Sequence, residues 1–308
     1  MKQEEPILVA IQSLVYNHEP YLRDCFEGFV MQKTNFRFVA IVHEDCSTDH
    51  SADIIREYEA KYPEIFRPIY ETENQWSKSD GSLGRIMNEA IDVTGAKYVA
   101  MCEGDDYWVD PYKLQKQVDF MEAHPECTVT FHRYDILQHE EQKWRKDRCS
   151  VYLQQNQDFV ELTLPMYFEN WVTQPCTMMY RKGTYLGQGK PYHGYKDQHL
   201  IYHLLNEGKG FILNFNGVVY RENRGGIHGR TPVIQQSRLA VQVAQELYQY
   251  NGKTAVLKEN LVRTLDWAIE CEKRYSSNRK MMIAYVIRRF KISKSIKRLL
   301  KQMKQCFV

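Results

Sequence analysis

The chain has 308 residues, of which 43% are hydrophobic, 26% charged and 13% aromatic. This composition excludes a disordered chain, because it supplies enough apolar and aromatic side chains to form a buried core. The length allows one large domain, or a main domain with an appendage.

The net charge of +2 conceals an uneven distribution of charge along the chain. The last acid is Glu272, and residues 273–308 hold twelve of the 41 Lys and Arg residues, which leaves 29 bases against 39 acids in residues 1–272. The sequence therefore predicts an acidic body followed by a basic tail.

The first residues, MKQEEP, lack the charged start and apolar stretch of a signal peptide. No apolar run approaches the ~20 residues that a membrane span requires. The eight cysteines are scattered without CxxC spacing, which argues against a disulfide framework and against a zinc site built on CxxC pairs. We expect reduced, mostly buried cysteines and a cytoplasmic protein.

Short apolar runs alternate with helical patterns in the first part of the chain. Strands are predicted at 7–11, 38–42, 66–70 and 98–102, and helices at 21–31, 51–62 and 83–93. This alternation predicts an α/β domain with a mostly parallel sheet. Because open α/β sheets bind ligands at the carboxyl ends of their strands, the polar segments 13–19, 43–49 and 103–106 are expected to converge on one crevice.

The acidic segment Glu103-Gly104-Asp105-Asp106 directly follows a buried apolar strand. Three carboxylates within four residues repel one another unless a cation or hydrogen-bond donors compensate them. Magnesium or manganese bridging a diphosphate is the natural compensation, and an acidic turn that caps the next helix is the alternative. In the segment 43–49, Asp45 is expected to bind a ligand, and Thr48 or Asp49 to cap the helix that begins near Ser51.

Three segments resemble, in order and spacing, the successive motifs of family 2 glycosyltransferases of the GT-A fold: SLVYNHEPYL, HEDCSTD and YVAMCEGDDYW. The resemblance covers roughly residues 6–125. It implies a Rossmann-like, mostly parallel central sheet flanked by helices, a nucleotide-sugar donor, a divalent metal (Mn²⁺ or Mg²⁺), and transfer with inversion at the anomeric carbon.

The resemblance also assigns residues to the nucleotide. Tyr16 and Glu19 would line the nucleotide base, and Asp45 would bind it. Arg85 stands where the family often has a basic residue beside the nucleotide.

In the acidic segment, the resemblance implies that Glu103 faces the ribose and that Asp105 is the metal ligand. Asp106 would support them or face the sugar. Glu44 and Glu103 each replace an aspartate that is usual in the family. Both changes keep the negative charge and lengthen the side chain.

Inverting transfer needs a general base that deprotonates the acceptor hydroxyl. Asp197, in the segment GYKDQ before a helical run, best matches the position of this carboxylate in the family, and a helix N-cap is its alternative role. Asp158, Glu161 and Glu169 are weaker candidates.

Arg221, Arg224 or His228 are candidates to face the diphosphate leaving group, with an ordinary surface turn as the alternative. His199 and His203 lie four residues apart without the glutamate of HExxH, so we expect them to be plain helix residues.

In the basic tail, apolar residues recur at helical spacing between lysines and arginines. A basic amphipathic helix is typical of a membrane-surface element, which would bring the protein to the inner face of the cytoplasmic membrane. The alternatives are a helix docked on the acidic body and a nucleic-acid patch; no nucleic-acid motif accompanies the tail, so no nucleic-acid partner is expected.

The sequence thus predicts a GT-A catalytic domain over residues 1–230 and a helical region over 231–308, with the basic amphipathic tail at about 279–308. The predicted reaction is metal-dependent, inverting transfer of a sugar to a glycan or lipid-linked saccharide in cell-surface polysaccharide synthesis. The alternatives are a catalytically silent nucleotide- or sugar-binding module and a nucleotidyltransferase. The last usually has a Gly-rich, basic first loop, whereas residues 11–20 contain no Gly, Lys or Arg.

Overall fold

A computed structural model describes residues 5–154, 156–170, 172–183, 190–194, 196–223, 225–276, 278–295, 298 and 302–303. The strands are β1 (Ile7–Val15), β2 (Arg37–Glu44), β3 (Phe66–Tyr70), β4 (Tyr98–Met101), β5 (Tyr107–Trp108), β6 (Cys127–Gln138), β7 (Lys143–Lys146), β8 (Phe159–Leu162), β9 (Met179–Arg181) and β10 (Lys209–Glu222). The helices are α1 (Leu22–Val30), α2 (Ser51–Lys61), α3 (Gln75–Lys78), α4 (Ser82–Thr94), α5 (Lys113–Ala123), α6 (Leu164–Asn170), α7 (Asp197–Glu207), α8 (Ile227–Arg230), α9 (Val233–Tyr250), α10 (Ala255–Cys271) and α11 (Arg279–Ser293).

The strands of the described ranges form one mixed sheet with the main order β3-β2-β1-β4-β9-β6-β10-β5. Strand β1 pairs in parallel with β2 and β4, β2 with β3, and β6 with β10. Strand β9 runs antiparallel between β4 and β6, and β5 runs antiparallel to β10. All other strands of this order therefore share one direction, which confirms the predicted α/β fold with a mostly parallel sheet.

The apolar strand runs are buried because helices cover both faces of the sheet. Residues 39–42 of β2 are all buried, and the ring of Phe26 on α1 lies 4.9 Å from that of Phe66 and 5.1 Å from that of Tyr58. The strands and helices predicted in the first part of the chain are all confirmed, with ends that shift by a few residues. The carboxyl ends of β1, β2 and β4 consequently lie at one edge of the sheet.

The chain divides into two compact units. The sheet unit comprises residues 1–188 and 200–223, and the helical unit comprises residues 189–199 and 224–308. The domain boundary at residue 230 stays a prediction; the division between the units falls after Asn223.

In the helical unit, the helical region predicted from residue 231 onward begins, after the short helix α8, with two long helices, α9 and α10. Gly252 adopts a φ of +83° between them, a conformation that L-residues rarely take. Thr254 then caps α10, with its hydroxyl oxygen accepting from the Leu257 N–H at 3.4 Å.

The basic tail begins as helix α11, and its apolar side is covered. Met282, Tyr285 and Val286 are buried against Val241 of α9 and Leu265 of α10. For residues 279–293, the prediction of an apolar face turned toward a membrane is therefore wrong. The alternative, a helix docked on the body, applies to α11. Most of the tail beyond residue 295 lies outside the described residues, and a membrane contact made by its charge stays a prediction.

Within the described ranges, no helix is both long enough and apolar enough to cross a bilayer. Seven cysteines in these ranges are free thiols, all of them buried except Cys46, which is half-buried. The expectation of reduced, mostly buried cysteines is confirmed for these seven; Cys306 lies outside the described residues.

Candidate functional site

The loops that follow β1 and β2 are joined by reciprocal hydrogen bonds. Three N–H groups of the first loop donate to side-chain oxygens of the second: Asn17 to Ser47 Oγ at 3.0 Å, His18 to Ser51 Oγ at 2.9 Å and Glu19 to Asp49 Oδ2 at 3.0 Å. In return, Thr48 N–H donates to Asn17 Oδ1 at 2.7 Å, and His50 N–H donates to Glu19 Oε2 at 3.0 Å. The small polar residues of the two motifs therefore fix the two loops against each other.

These contacts give two predicted residues a structural role. Asp49 Oδ1 accepts from the N–H of Ser51, the first residue of α2, at 2.9 Å, although the N-cap residue of this helix is His50. One carboxylate oxygen of Glu19 is occupied by the second loop. Its contact with a nucleotide base stays a prediction, as does that of Tyr16, which directly follows β1 and is 43% exposed.

Asp45 is buried and holds the start of α3. Its Oδ1 accepts from Gln75 N–H at 2.6 Å and its Oδ2 from Trp76 N–H at 3.0 Å. Its own N–H donates to Val15 O at 3.0 Å, so Asp45 lies beside the end of β1. Each carboxylate oxygen has a second lone pair, so base binding by Asp45 stays a prediction that these contacts permit.

Trp76 is a neighbour of Asp45 that the sequence motifs do not indicate, and it is 45% exposed. Arg85 lies on α4 and is exposed; its guanidinium donates to Asp80 O at 3.4 Å, and no described hydrogen bond joins it to the three loops. Its place beside a nucleotide stays a prediction.

Asp105 and Asp106 are adjacent in sequence and have opposite surroundings. Asp106 is buried, and its Oδ1 accepts from Arg221 N–H at 2.8 Å. Burial, and secondarily the charge of Asp105, raise the pKa of Asp106 well above the ordinary range of a carboxyl group. These contacts favour the supporting role of Asp106 over contact with a sugar.

Asp105 is only partly buried and faces the first loop. Its Oδ2 accepts from Asn223 Nδ2 at 3.0 Å and lies 4.0 Å from His18 Nε2. Burial lowers the pKa of His18, although the charges of Asp105 and Asp49 oppose the shift, so the imidazole is neutral near pH 7. The predicted metal ligand therefore has a neutral nitrogen donor close by.

Glu103 is half-buried, and its backbone oxygen accepts from the Cys25 thiol at 3.5 Å. Its contact with a ribose stays a prediction.

The contacts of Arg221 disfavour the sequence-based alternative that it faces the leaving group. Its guanidinium is buried, donates to Asp105 O at 3.1 Å and pairs with Asp24. It also lies over the Tyr107 ring at 4.2 Å. Arg221 thus supports the segment 103–106, the acidic loop, through its backbone. Arg224 and the side chain of His228 lie outside the described residues.

In the described part of the chain, no group of three or more His, Cys, Asp and Glu side chains has the arrangement of a metal site. A metal that bridges a diphosphate needs fewer protein ligands, because phosphate oxygens and water complete its coordination. An imidazole nitrogen and a carboxylate oxygen are both suitable donors. The pair formed by Asp105 and His18 therefore fits such a metal.

Asp197 belongs to the helical unit and begins α7. Burial raises the pKa of Asp197, against the opposing charge of Lys196. A carboxylate with a raised pKa is a stronger base, so this shift suits the predicted role.

Among the weaker candidates, Glu161 pairs with Lys209 at 3.1 Å, and Asp158 and Glu169 are exposed. His199 and His203 are buried residues of α7, as expected of plain helix residues.

Known proteins resemble this chain in sequence and in fold. Residues 13–186 match the profile of Glycosyl transferase family 2, which is more than half of the chain. The chain belongs to this family.

Relatives match the chain over part of their length. An uncharacterised protein of Mycobacterium tuberculosis is 39% identical over 149 residues, which cover 45% of this chain and 41% of that protein. A Bacillus subtilis protein, TuaG, provisionally named a teichuronic acid biosynthesis glycosyltransferase, is 32% identical over 130 residues, or 42% of this chain and 48% of that protein. The chain thus matches less than half the length of these relatives.

Solved structures share the fold of this family 2 chain. S. aureus TarS 1–349 in complex with UDP-GlcNAc superposes with a TM-score of 0.64 at 16% identity, covering 93% of this chain and 81% of that one. The Pyrobaculum calidifontis mannosyltransferase PcManGT, in complex with GDP-Man and Mn²⁺, gives a TM-score of 0.52 at 13% identity, covering 99% and 88%. These likenesses confirm the predicted GT-A-like fold.

Proposed function

We propose that the protein is a metal-dependent, inverting glycosyltransferase that moves a sugar from a nucleoside diphosphate to a glycan or lipid-linked saccharide. The observation that carries the proposal is the convergence of three motif loops at one sheet edge, where Asp105 is the acidic-loop aspartate left partly open to solvent. Because the chain belongs to Glycosyl transferase family 2, we assign sugar transfer to this edge of the sheet.

The loops after β1 and β2 would bind the nucleoside. Tyr16 offers an exposed ring and directly follows Val15, whose carbonyl oxygen accepts from the N–H of Asp45. The carboxylate of Asp45 is already held by two N–H groups. Because both loops are fixed before a ligand arrives, binding would cost little ordering entropy. Glu103, at the start of the acidic loop, is proposed to contact the ribose.

A divalent metal held by Asp105 would neutralise the charge that develops on the departing diphosphate. The protein's part is to hold the Asp105 carboxylate in place, through Asn223 on its Oδ2 and Arg221 on its backbone oxygen. A fixed carboxylate needs no rearrangement when the ligand arrives.

Asp197 is proposed as the general base that takes the proton of the acceptor hydroxyl. Its raised pKa supports this role. The rate should fall as the pH falls through that pKa, because only the ionised carboxylate accepts a proton.

The names of related proteins support a cell-surface acceptor. TuaG is named for teichuronic acid biosynthesis, and another relative, from Bacillus spizizenii, is named a poly(ribitol-phosphate) beta-glucosyltransferase and is 30% identical over 102 residues. We therefore propose a role in the synthesis of cell-surface polysaccharide on the cytoplasmic side of the membrane.

The first experiment measures nucleoside diphosphate release from UDP-GlcNAc and GDP-mannose in the presence of Mn²⁺. Asp105→Asn should lower turnover by about 100-fold or more, because it removes a charge that holds the metal. Asp53→Asn, an exposed aspartate on α2, is the matched control and should leave turnover unchanged. Full Mn²⁺-dependent turnover in Asp105→Asn would refute the metal assignment.

The products separate the alternative functions. A glycosyltransferase releases UDP or GDP, whereas a nucleotidyltransferase releases pyrophosphate. Stabilisation by a nucleotide sugar and Mn²⁺ without release of either product would indicate a silent binding module.

The second experiment tests the base. Asp197→Asn should lower kcat and abolish the acidic limb of the pH–rate profile, with donor affinity unchanged. Glu169→Gln, an exposed competitor on α6, should behave as wild type. An unchanged kcat in Asp197→Asn would assign the base to another residue.

A further inference from the structure

His18 is held rigidly in the first loop, although no sequence motif gives its side chain a role. Its N–H donates to Ser51 Oγ at 2.9 Å. Its carbonyl oxygen accepts from Tyr21 N–H at 2.9 Å and from Leu22 N–H at 3.0 Å, at the start of α1. The backbone of His18 is therefore fixed by both α1 and α2.

The imidazole of His18 lies directly against the acidic loop because Gly104 has no side chain. A Cβ at residue 104 would lie 2.7 Å from His18 Nδ1, closer than real Cβ contacts, and a tight 3.1 Å from a methyl carbon of Val15. Only glycine at this position leaves room for the ring. Nδ1 of His18 is buried, and the described residues offer it no hydrogen-bond partner.

The other ring nitrogen faces the metal ligand. His18 Nε2 lies 4.0 Å from Asp105 Oδ2, which is too long for a hydrogen bond. Two donors that bind one metal at about 2.1 Å are separated by roughly 3 to 4 Å, depending on the angle at the metal. The separation and the chemistry of both groups thus suit a shared cation better than a direct contact.

We propose that His18 is a second protein ligand of the divalent metal, together with Asp105. This inference rests on the proposed function, since it concerns the metal of the same site. It also predicts the choice of metal: a nitrogen ligand favours Mn²⁺ over Mg²⁺, because Mg²⁺ is the harder cation and prefers oxygen.

The test uses the full chain with Mn²⁺ and UDP, and separately with Mn²⁺ and GDP. Electron spin echo modulation detects nitrogen bound to Mn²⁺, and labelling the histidines with ¹⁵N identifies an imidazole source in the wild type without any substitution. We expect an imidazole coupling in the wild type and its loss in His18→Gln. The Mn²⁺ affinity of His18→Gln should fall by about tenfold or more, and its preference for Mn²⁺ over Mg²⁺ should narrow.

His50→Gln is the matched control, because His50 lies on the neighbouring loop with an exposed side chain that contacts Asp53. It should keep the coupling and the affinity. Thermal unfolding without metal shows whether each variant is folded.

Two outcomes would overturn the inference alone. Mn²⁺ bound to the wild type without imidazole coupling means that oxygen atoms supply all ligands. A coupling that survives in His18→Gln means that another histidine supplies the nitrogen. If the wild type binds no Mn²⁺ with either diphosphate, the metal dependence of the proposed function fails as well.

Discussion

Two buried arginines, one in each unit, show how differently the two regions use a charge. Arg221 of the sheet unit donates to backbone oxygens of two loops and lies over aromatic rings, and its carboxylate partner Asp24 is 60% exposed. Arg289 of the helical unit donates to both carboxylate oxygens of Asp266, from Nε at 2.5 Å and from Nη2 at 3.2 Å. Arg221 fixes irregular backbone, whereas Arg289 joins two helices.

The difference follows from what each region leaves unsatisfied. Helices satisfy most of their own backbone groups, so a buried side chain between helices mainly needs another side chain. Loops at a sheet edge leave N–H and carbonyl groups unpaired, so polar side chains must satisfy them. The site loops accordingly contain the side chain-to-backbone bonds of Asn17, Asp45 and Asp49.

The largest effect is expected from Arg221→Met. The variant leaves the backbone oxygens of Tyr21 and Asp105 without their charged donor, so we expect a loss of about 2 to 4 kcal/mol in the free energy of unfolding. Because the acidic loop loses its support, Mn²⁺ and UDP or GDP should also bind more weakly. Urea unfolding measures the first effect, and calorimetry of the folded variant measures the second.

Arg221→Lys sharpens this prediction. It keeps the charge and loses the planar fork that reaches several acceptors, so it should restore only part of the stability. Wild-type nucleotide binding in Arg221→Met would show that the acidic loop needs no support from Arg221.

A smaller effect is expected from Arg289→Met, the matched change in the helical unit. Asp266 keeps Arg298 as a second cationic partner at 2.9 Å and Gln302 as a donor at 2.9 Å, so its charge stays compensated. We expect a loss of about 1 to 2 kcal/mol in the free energy of unfolding and unchanged binding of Mn²⁺ with UDP or GDP. A loss as large as that of Arg221→Met would contradict the contrast between the two regions.

An effect that depends on pH concerns a third buried basic side chain, Lys113, whose amine donates to Gln117 Oε1 at 2.7 Å rather than to a carboxylate. Burial lowers the pKa of Lys113 to about 7. Between that value and the pKa of an unfolded lysine, the unfolded chain binds more protons than the folded chain, so this group makes stability rise with pH. Lys113→Met should remove this contribution, which is at most about 1.4 kcal/mol per pH unit.

The measurement is the free energy of unfolding of the wild type and Lys113→Met at pH 7, 8 and 9. The difference between the two proteins should change with pH. Parallel curves would mean that Lys113 keeps an ordinary pKa in the folded protein.

Sequence reasoning predicted the strands and helices of the first part of the chain because the spacing of apolar residues is a local property. It erred where packing decides. The tail helix has the pattern of a membrane-surface element, yet Tyr285 and Val286 are buried against α9 and α10. Composition and spacing describe a helix face and do not say what covers it.

The candidate site shows the same division. The motifs indicated Asp105 and Asp106 together, but only the structure separates the buried residue from the partly open one. His18 lies inside the motif SLVYNHEPYL, which gives its side chain no role. The sequence feature that could have indicated it is the glycine between Glu103 and Asp105, which makes room for a ring from a loop far away in sequence.

The sequence alone determined the family, the order of strands and helices, and the gathering of three polar loops at one sheet edge. These follow from hydrophobic periodicity and from motifs that are each contiguous in the chain. Only the tertiary structure decided which carboxylates satisfy backbone N–H groups and which one meets an imidazole. Those outcomes depend on distances between residues far apart in sequence. Packing sets these distances, and with them the burial and the hydrogen-bond partners of each carboxylate.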